Sequence, residues 1–212
     1  MAKTKEQLLE ILSNFDLKEN VVSAEPFGNG HINDTLKVTT ANGEIKYVLQ
    51  RVNHLIFTNV DMLQNNIHVV TSHIREKLEA KGETDIDRKV LTFLPTKEGK
   101  NYYFDGDSYW RVCLFIPRSK SYEEVTPELS YEAGKAFGDF QTMLSDIPEG
   151  TLGETIPNFH NMEFRLQQFH DAVKDNAASE GLGRRNRETC GNYVHPRTPL
   201  PRRKIKKTHQ PL

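Results

Sequence analysis

The sequence predicts an α+β fold, an antiparallel sheet at the front with helices behind it, and three observations carry that reading. Three short runs suited to strands, residues 21–26, 35–40 and 45–51, are separated by turns containing Gly28 and Gly30 in one case and Asn42-Gly43 in the other; Asn-Gly between such runs is a strong hairpin signal. Apolar residues then recur at helical spacing over 58–80, 127–144 and 162–175. The charge divides sharply as well. Residues 181–212 hold nine Lys/Arg against one acid, a net +8, so residues 1–180 carry −9 within an overall −1.

At 212 residues, with 36% hydrophobic and 27% charged residues, the chain has material for one domain or one and a half. No run of about 18 apolar residues exists, so no membrane span is expected. The first residues, Met1-Ala2-Lys3-Thr4-Lys5-Glu6, lead into an amphipathic pattern and not an apolar signal core. Two cysteines, Cys113 and Cys190, make neither a disulfide framework nor a metal site. A cytoplasmic, reducing location is the default expectation.

In chain order, Thr4-x-x-Gln7 reads as a capping box that opens a first helix, with Leu8, Ile11, Leu12 and Phe15 on one face. A three-strand meander over 21–51 follows. Thr58-x-x-Asp61 is expected to cap a long helix that runs to about residue 80, where Gly82 stops it. Residues 89–96 read as a strand, and 101–104 with 108–115 as a hairpin about Asp105-Gly106. Cys113 alternates with apolar neighbours and reads as a small core residue. Ile116 precedes Pro117 and is pushed away from helix, so 115–119 leaves the sheet extended. Thr126-Pro127 opens the next helix, in which Gly134 and Gly138 would allow close packing. Ile156-Pro157-Asn158-Phe159-His160-Asn161 is a turn before a last helix. Beyond about 176 the chain has few large apolar residues, four prolines and the basic cluster, and is expected to be disordered.

The stretch that bears chemistry is Glu25-Pro26-Phe27-Gly28-Asn29-Gly30-His31-Ile32-Asn33-Asp34-Thr35. Two glycines one residue apart let the backbone turn tightly and approach a ligand. Such a turn can aim several N–H groups at one spot, which suits a phosphate. The strand that follows, Lys46-Tyr47-Val48-Leu49-Gln50-Arg51, ends in a cation. A glycine turn and then a basic strand is the order in which an ATP lid is built. Taken alone the turn is equally a plain hairpin, and no Gly-Lys-Ser/Thr follows to make a phosphate loop of the Walker kind.

The segments FGNGHINDTLKVTT, YVLQRVN, YWRVCLFI, AGKAFGDFQ and IPNFHN, in that order, closely resemble the N-acetylhexosamine 1-kinases of the aminoglycoside phosphotransferase/choline kinase superfamily. Relatives of this type also carry the name mucin desulfatase, although nothing here looks like sulfatase chemistry. The resemblance runs from about Leu8 to about Asp175. It implies a protein-kinase-like fold with a β-rich small lobe over a helical lobe, and ATP- and Mg2+-dependent phosphorylation of the anomeric hydroxyl of N-acetylglucosamine or N-acetylgalactosamine. Within it Gly28, Asn29, Gly30, His31 and Asn33 would cover the phosphates, with His31 and Asn33 also reaching the sugar. Arg51 or Gln50 would take the place of the basic residue that pairs the phosphates, and Phe115 and Ile116 would form the hinge beside adenine. His160 reads as structural.

The resemblance also implies a His-Asn-Asp-x-x-x-x-Asn loop that supplies the catalytic Asp and an Ile-Asp-x-Asp strand that holds Mg2+; neither occurs in this sequence. The helix over 58–80 has no carboxylate at its middle to pair the basic strand, only Glu76 and Glu79 near its end. The expected division is therefore residues 1–116 as the ATP-lid small lobe, 117–176 as the start of an incomplete helical lobe, and 177–212 as a basic tail. The tail begins where the resemblance fades, which suggests a truncated or frameshifted reading and an inactive fragment. Two other readings compete. One is a phosphotransferase with another acceptor, such as choline, homoserine or an aminoglycoside. The other is a non-catalytic nucleotide-binding protein whose tail engages nucleic acid; with one aromatic, Tyr193, and no known nucleic-acid module in the tail, it ranks last.

Overall fold

A computed structural model describes residues 3–28, 30–122 and 124–175. It forms two units, 1–157 and 158–212. The chain is α+β, with a six-stranded antiparallel sheet and four α-helices among the described residues. None of these helices is long and apolar enough to cross a membrane.

Helix α1 (Lys5–Ser13) starts at the expected capping box: the Gln7 N–H donates to the Thr4 hydroxyl, and the Thr4 N–H donates to the Gln7 side chain. Losing the hydroxyl acceptor for the Gln7 N–H in Thr4→Ala is expected to cost about 1 kcal/mol, read as a shift of the urea midpoint at unchanged slope; an unshifted midpoint would contradict the role of the cap. Strands β1 (Val21–Pro26), β2 (Asp34–Thr40) and β3 (Ile45–Val52) make the meander. At its second turn Gly43 sits at φ 84°, and the Asn42 side chain accepts the Glu44 N–H. Helix α2 (Val60–Ala80) is capped by Asn59 and not by Thr58: Asn59 Oδ1 accepts the Met62 N–H at 2.9 Å. The helix starts one residue later than the Thr-x-x-Asp pattern implies, which moves the cap with it.

The strand expected over 89–96 shrinks to β4 (Phe93–Leu94). Residues Ile86–Arg88 form a 3-10 turn instead, entered through Asp85 at φ 54°, and Val90 donates its N–H back to the Ile86 carbonyl. This diversion buries Val90 against Ile74 and Leu78 of α2, a better place for an apolar side chain than a sheet edge. Strands β5 (Tyr103–Phe104) and β6 (Tyr109–Leu114) form the expected hairpin, and the sheet order is β1-β2-β3-β6-β4, with β5 also on β6.

Alternation gives the sheet two faces. Val38, Tyr47, Leu49, Trp110 and Val112 point to α1 and bury Leu8, Ile11, Leu12 and Phe15 in the main core. Thr35, Lys37, Val48, Gln50, Arg111 and Cys113 have the opposite parity and form the second face. Helix α3 (Pro127–Leu144) attaches to α2 through its C-terminal end: Met143 and Leu144 join Ile74 and Leu78, and Lys77 donates to the Met143 carbonyl at 2.7 Å. His73 and Lys77 both reach Asp146. The rest of α3 is open, with Tyr131 71% and Phe137 70% exposed. A methyl group added at Gly134 or Gly138 would touch nothing among the described residues, so the close packing expected there is not made. In the second unit α4 (Met162–Lys174) likewise has no buried residue. The basic tail, 177–212, lies outside the described residues.

Candidate functional site

The glycine turn is built from the β1–β2 ladder. Phe27 N–H closes it by donating to the Thr35 carbonyl at 2.8 Å, and Gly28 follows at φ 81°, a conformation that suits a residue without Cβ. Gly28, Gly30 and His31 are exposed, and Asn29 lies outside the described residues. Asn33 is held in place, because its Oδ1 accepts the Asn53 N–H at 2.9 Å and so ties the turn to the exit of β3.

The pairing of β3 separates the two residues that the sequence left as alternatives. Arg51 shares the α1 face with Leu49 and forms an exposed ion pair with Asp34, its partner across the ladder. It borders a cleft of about 740 Å³ together with Gly28, Gly30, Asn33, Lys3, Lys5 and Trp110. Gln50 has the opposite parity. Its Nε2 donates to Thr35 Oγ1 at 2.9 Å, and its Oε1 accepts from Arg111 Nε at 2.9 Å and Nη2 at 2.5 Å. The structure therefore gathers Gly28, Gly30, Asn33 and Arg51 on one side and Gln50 on the other. Arg111 was not singled out in the sequence, and Cys113, expected as a small core residue, lies instead on the second face, because Trp110 and Val112 take the core parity of β6.

Phe115 continues β6 in register, with its N–H donating to the Lys46 carbonyl at 2.8 Å. Its ring meets the ring of Phe27 edge-on, centroids 5.8 Å apart, so the glycine turn and the expected hinge touch. The half-buried Ile116 precedes Pro117, whose carbonyl accepts from Arg88; the extended exit expected over 115–119 stops there, because 117–118 turn and Arg118 sits at φ 57°. Phe115, Cys113 and Arg111 have one parity, and four strand residues span about 13 Å. The second face thus carries aromatic rings at one end, Val48 paired with Cys113 in the middle, and the Gln50–Arg111 pair at the other. Burial pushes the Cys113 thiol up to about 11, against a small opposing pull from Arg111, so it stays a neutral, unreactive thiol at neutral pH.

A second cleft, about 880 Å³, lies between the first turn of α2 and the β5 hairpin, with Asp61, Gln64, Asn101 and Tyr102 on its wall. Gln64 is 3% exposed, and its Nε2 has no partner among the described residues. Tyr102 donates to Asp61 at 2.8 Å; that bond, with burial, pushes the phenol up to about 12. Among the described residues no three His, Cys, Asp or Glu side chains cluster as a metal site. His160 belongs to the second unit, where its ring meets the Phe159 ring edge-on. No protein-family model matches the chain.

Proposed function

We propose that this chain is the nucleotide-binding part of a phosphotransferase, acting with ATP and Mg2+ on the anomeric hydroxyl of an N-acetylhexosamine. The observation that carries the reading is the contact of Phe27 in the glycine turn with Phe115 at the exit of β6. The turn folds toward the segment 115–116 that leaves β6, as an ATP lid would over the base of its nucleotide. The aromatic end offers stacking to adenine, and the backbone at 115–116 offers groups for its edge. The turn's exposed N–H groups offer donors to phosphate. In the reaction the anomeric oxygen bonds to the terminal phosphorus, the bond to the ADP oxygen breaks, and the hydroxyl proton passes to a base. No residue of this chain is assigned as that base, and the acceptor rests on the motif resemblance alone.

The expected result is saturable binding of AMP-PNP, competed by ADP, with no MgATP-dependent formation of N-acetylglucosamine 1-phosphate by the same preparation. Calorimetry and a coupled ADP assay measure the two. No nucleotide binding would remove the reading, and robust turnover would show that the chain does hold its own base and metal ligands.

A further inference from the structure

We propose that Arg111, held by Gln50, is the phosphate-binding cation of this site, in place of the strand-end residue Arg51; the phosphate belongs to the nucleotide proposed above, and the inference rests on that reading. Arg111 is half-buried on the second face of the sheet. Its guanidinium lies over the Phe93 ring, 5.3 Å from the centroid. Among the described residues it has no carboxylate partner, only the neutral amide oxygen of Gln50. Its Nη1 is buried and has no acceptor among the described residues.

A fixed cation in such a place is unusual, because a buried charge is ordinarily paired. Burial pulls the guanidinium below its ordinary value, but an arginine stays charged in a protein. An anion supplies what is missing. A phosphate oxygen is a stronger acceptor for arginine than an amide oxygen, and the planar fork fits two of its oxygens at once. Gln50 is the placeholder: when a phosphate takes the Nε/Nη2 edge, its amide can turn and donate through Nε2, now spent on Thr35. Arg51 already has its counter-ion in Asp34, on the opposite face from Val48, Cys113 and Gln50. The distance from Phe115 to Arg111, about 13 Å along the strand, leaves room for a ribose and the first phosphates.

The test titrates the full chain at low ionic strength with tripolyphosphate and, separately, with AMP-PNP. Arg111→Gln is expected to weaken tripolyphosphate binding about tenfold or more, Arg111→Lys less, and Lys100→Gln, at an exposed side chain paired with Glu98, not at all. Gln50→Glu tests the same idea should Arg111→Gln fail to fold. It sets a carboxylate against the fork, and is expected to raise the thermal midpoint while abolishing tripolyphosphate binding. Undiminished binding in Gln50→Glu or Arg111→Gln, or no tripolyphosphate binding by the unaltered chain, overturns the proposal. Tripolyphosphate binding that depends on Arg111, without any binding of AMP-PNP, supports the anion site and removes the nucleotide reading. Binding of AMP-PNP that survives Arg111→Gln but falls in Arg51→Gln keeps the nucleotide reading and returns the role to Arg51.

Discussion

Phe15→Ala is expected to destabilise the sheet-bearing unit by about 4 kcal/mol, a large share of the roughly 5–15 kcal/mol that holds a domain folded. Phe15 is 1% exposed and lies just past the end of α1 in the core cluster with Leu12, Val38 and Leu49. The backbone around it is also tied down. Phe15 bridges to Thr96, Asp16 N–H donates to the Pro95 carbonyl, and Lys97 N–H donates to the Asn14 carbonyl. The neighbours therefore cannot close in freely when the ring is removed, and the cavity term adds to the lost burial. Urea denaturation followed by Trp110 fluorescence measures it. A loss under about 1 kcal/mol would mean that the ring is not the clamp between α1 and the sheet. Phe15 packs on the face opposite Arg111, so tripolyphosphate affinity measured well below the midpoint should stay unchanged. Stability and anion binding then separate by sheet face.

The sheet was legible in the sequence because its signals are local. Gly28 and Gly43 do take positive φ, and the Thr4–Gln7 box does cap α1 with Leu8, Ile11, Leu12 and Phe15 in the core. The misplacements are local too. Thr58 and Asn59 are both capping residues, and only the φ/ψ of the first helical turn decides between them. The strand over 89–96 failed because Val90 gains more by packing on α2, a tertiary preference that strand propensity does not contain. The candidate site was less legible. Its glycine turn was found from spacing, but whether Gln50 or Arg51 faces a ligand depends on register, and a shift of one residue exchanges the two faces. Arg111 was visible only as an arginine between two core residues. Its lack of a counter-ion among the described residues is a property of three dimensions. The same holds for the contact of Phe27 with Phe115, 88 positions along the chain, which no turn or strand signal encodes.

Asp105 is a second residue whose importance the sequence conceals, since Asp105-Gly106 reads as an ordinary turn. One carboxylate collects four donors. Oδ1 accepts the N–H groups of Asp107 at 3.0 Å and Ser108 at 2.8 Å, and Oδ2 accepts the Trp110 indole N–H at 2.9 Å and pairs with Lys3 at 2.8 Å. Burial by itself would raise its pKa. The Lys3 ammonium, the two backbone N–H groups and the indole N–H outweigh burial and bring it from near 3.8 down to about 2. A carboxyl held below its unfolded value stabilises the fold above that value and loses the contribution as pH falls through the folded one. The window is therefore about pH 4 to 2, worth on the order of 2 kcal/mol. Asp105→Ala should destabilise by about 3 kcal/mol at neutral pH, because it strands the indole N–H of Trp110, itself 2% exposed, in the core. Asp105→Asn is the sharper variant. Its amide oxygen can still accept the two backbone N–H groups and hold the turn, but the charge is gone. Its denaturation free energy should fall less steeply between pH 4 and 2 than that of the unaltered chain. Parallel acid limbs in the two proteins would show that the acid sensitivity arises elsewhere, and that the Lys3–Asp105–Trp110 junction stabilises by shape and not by charge.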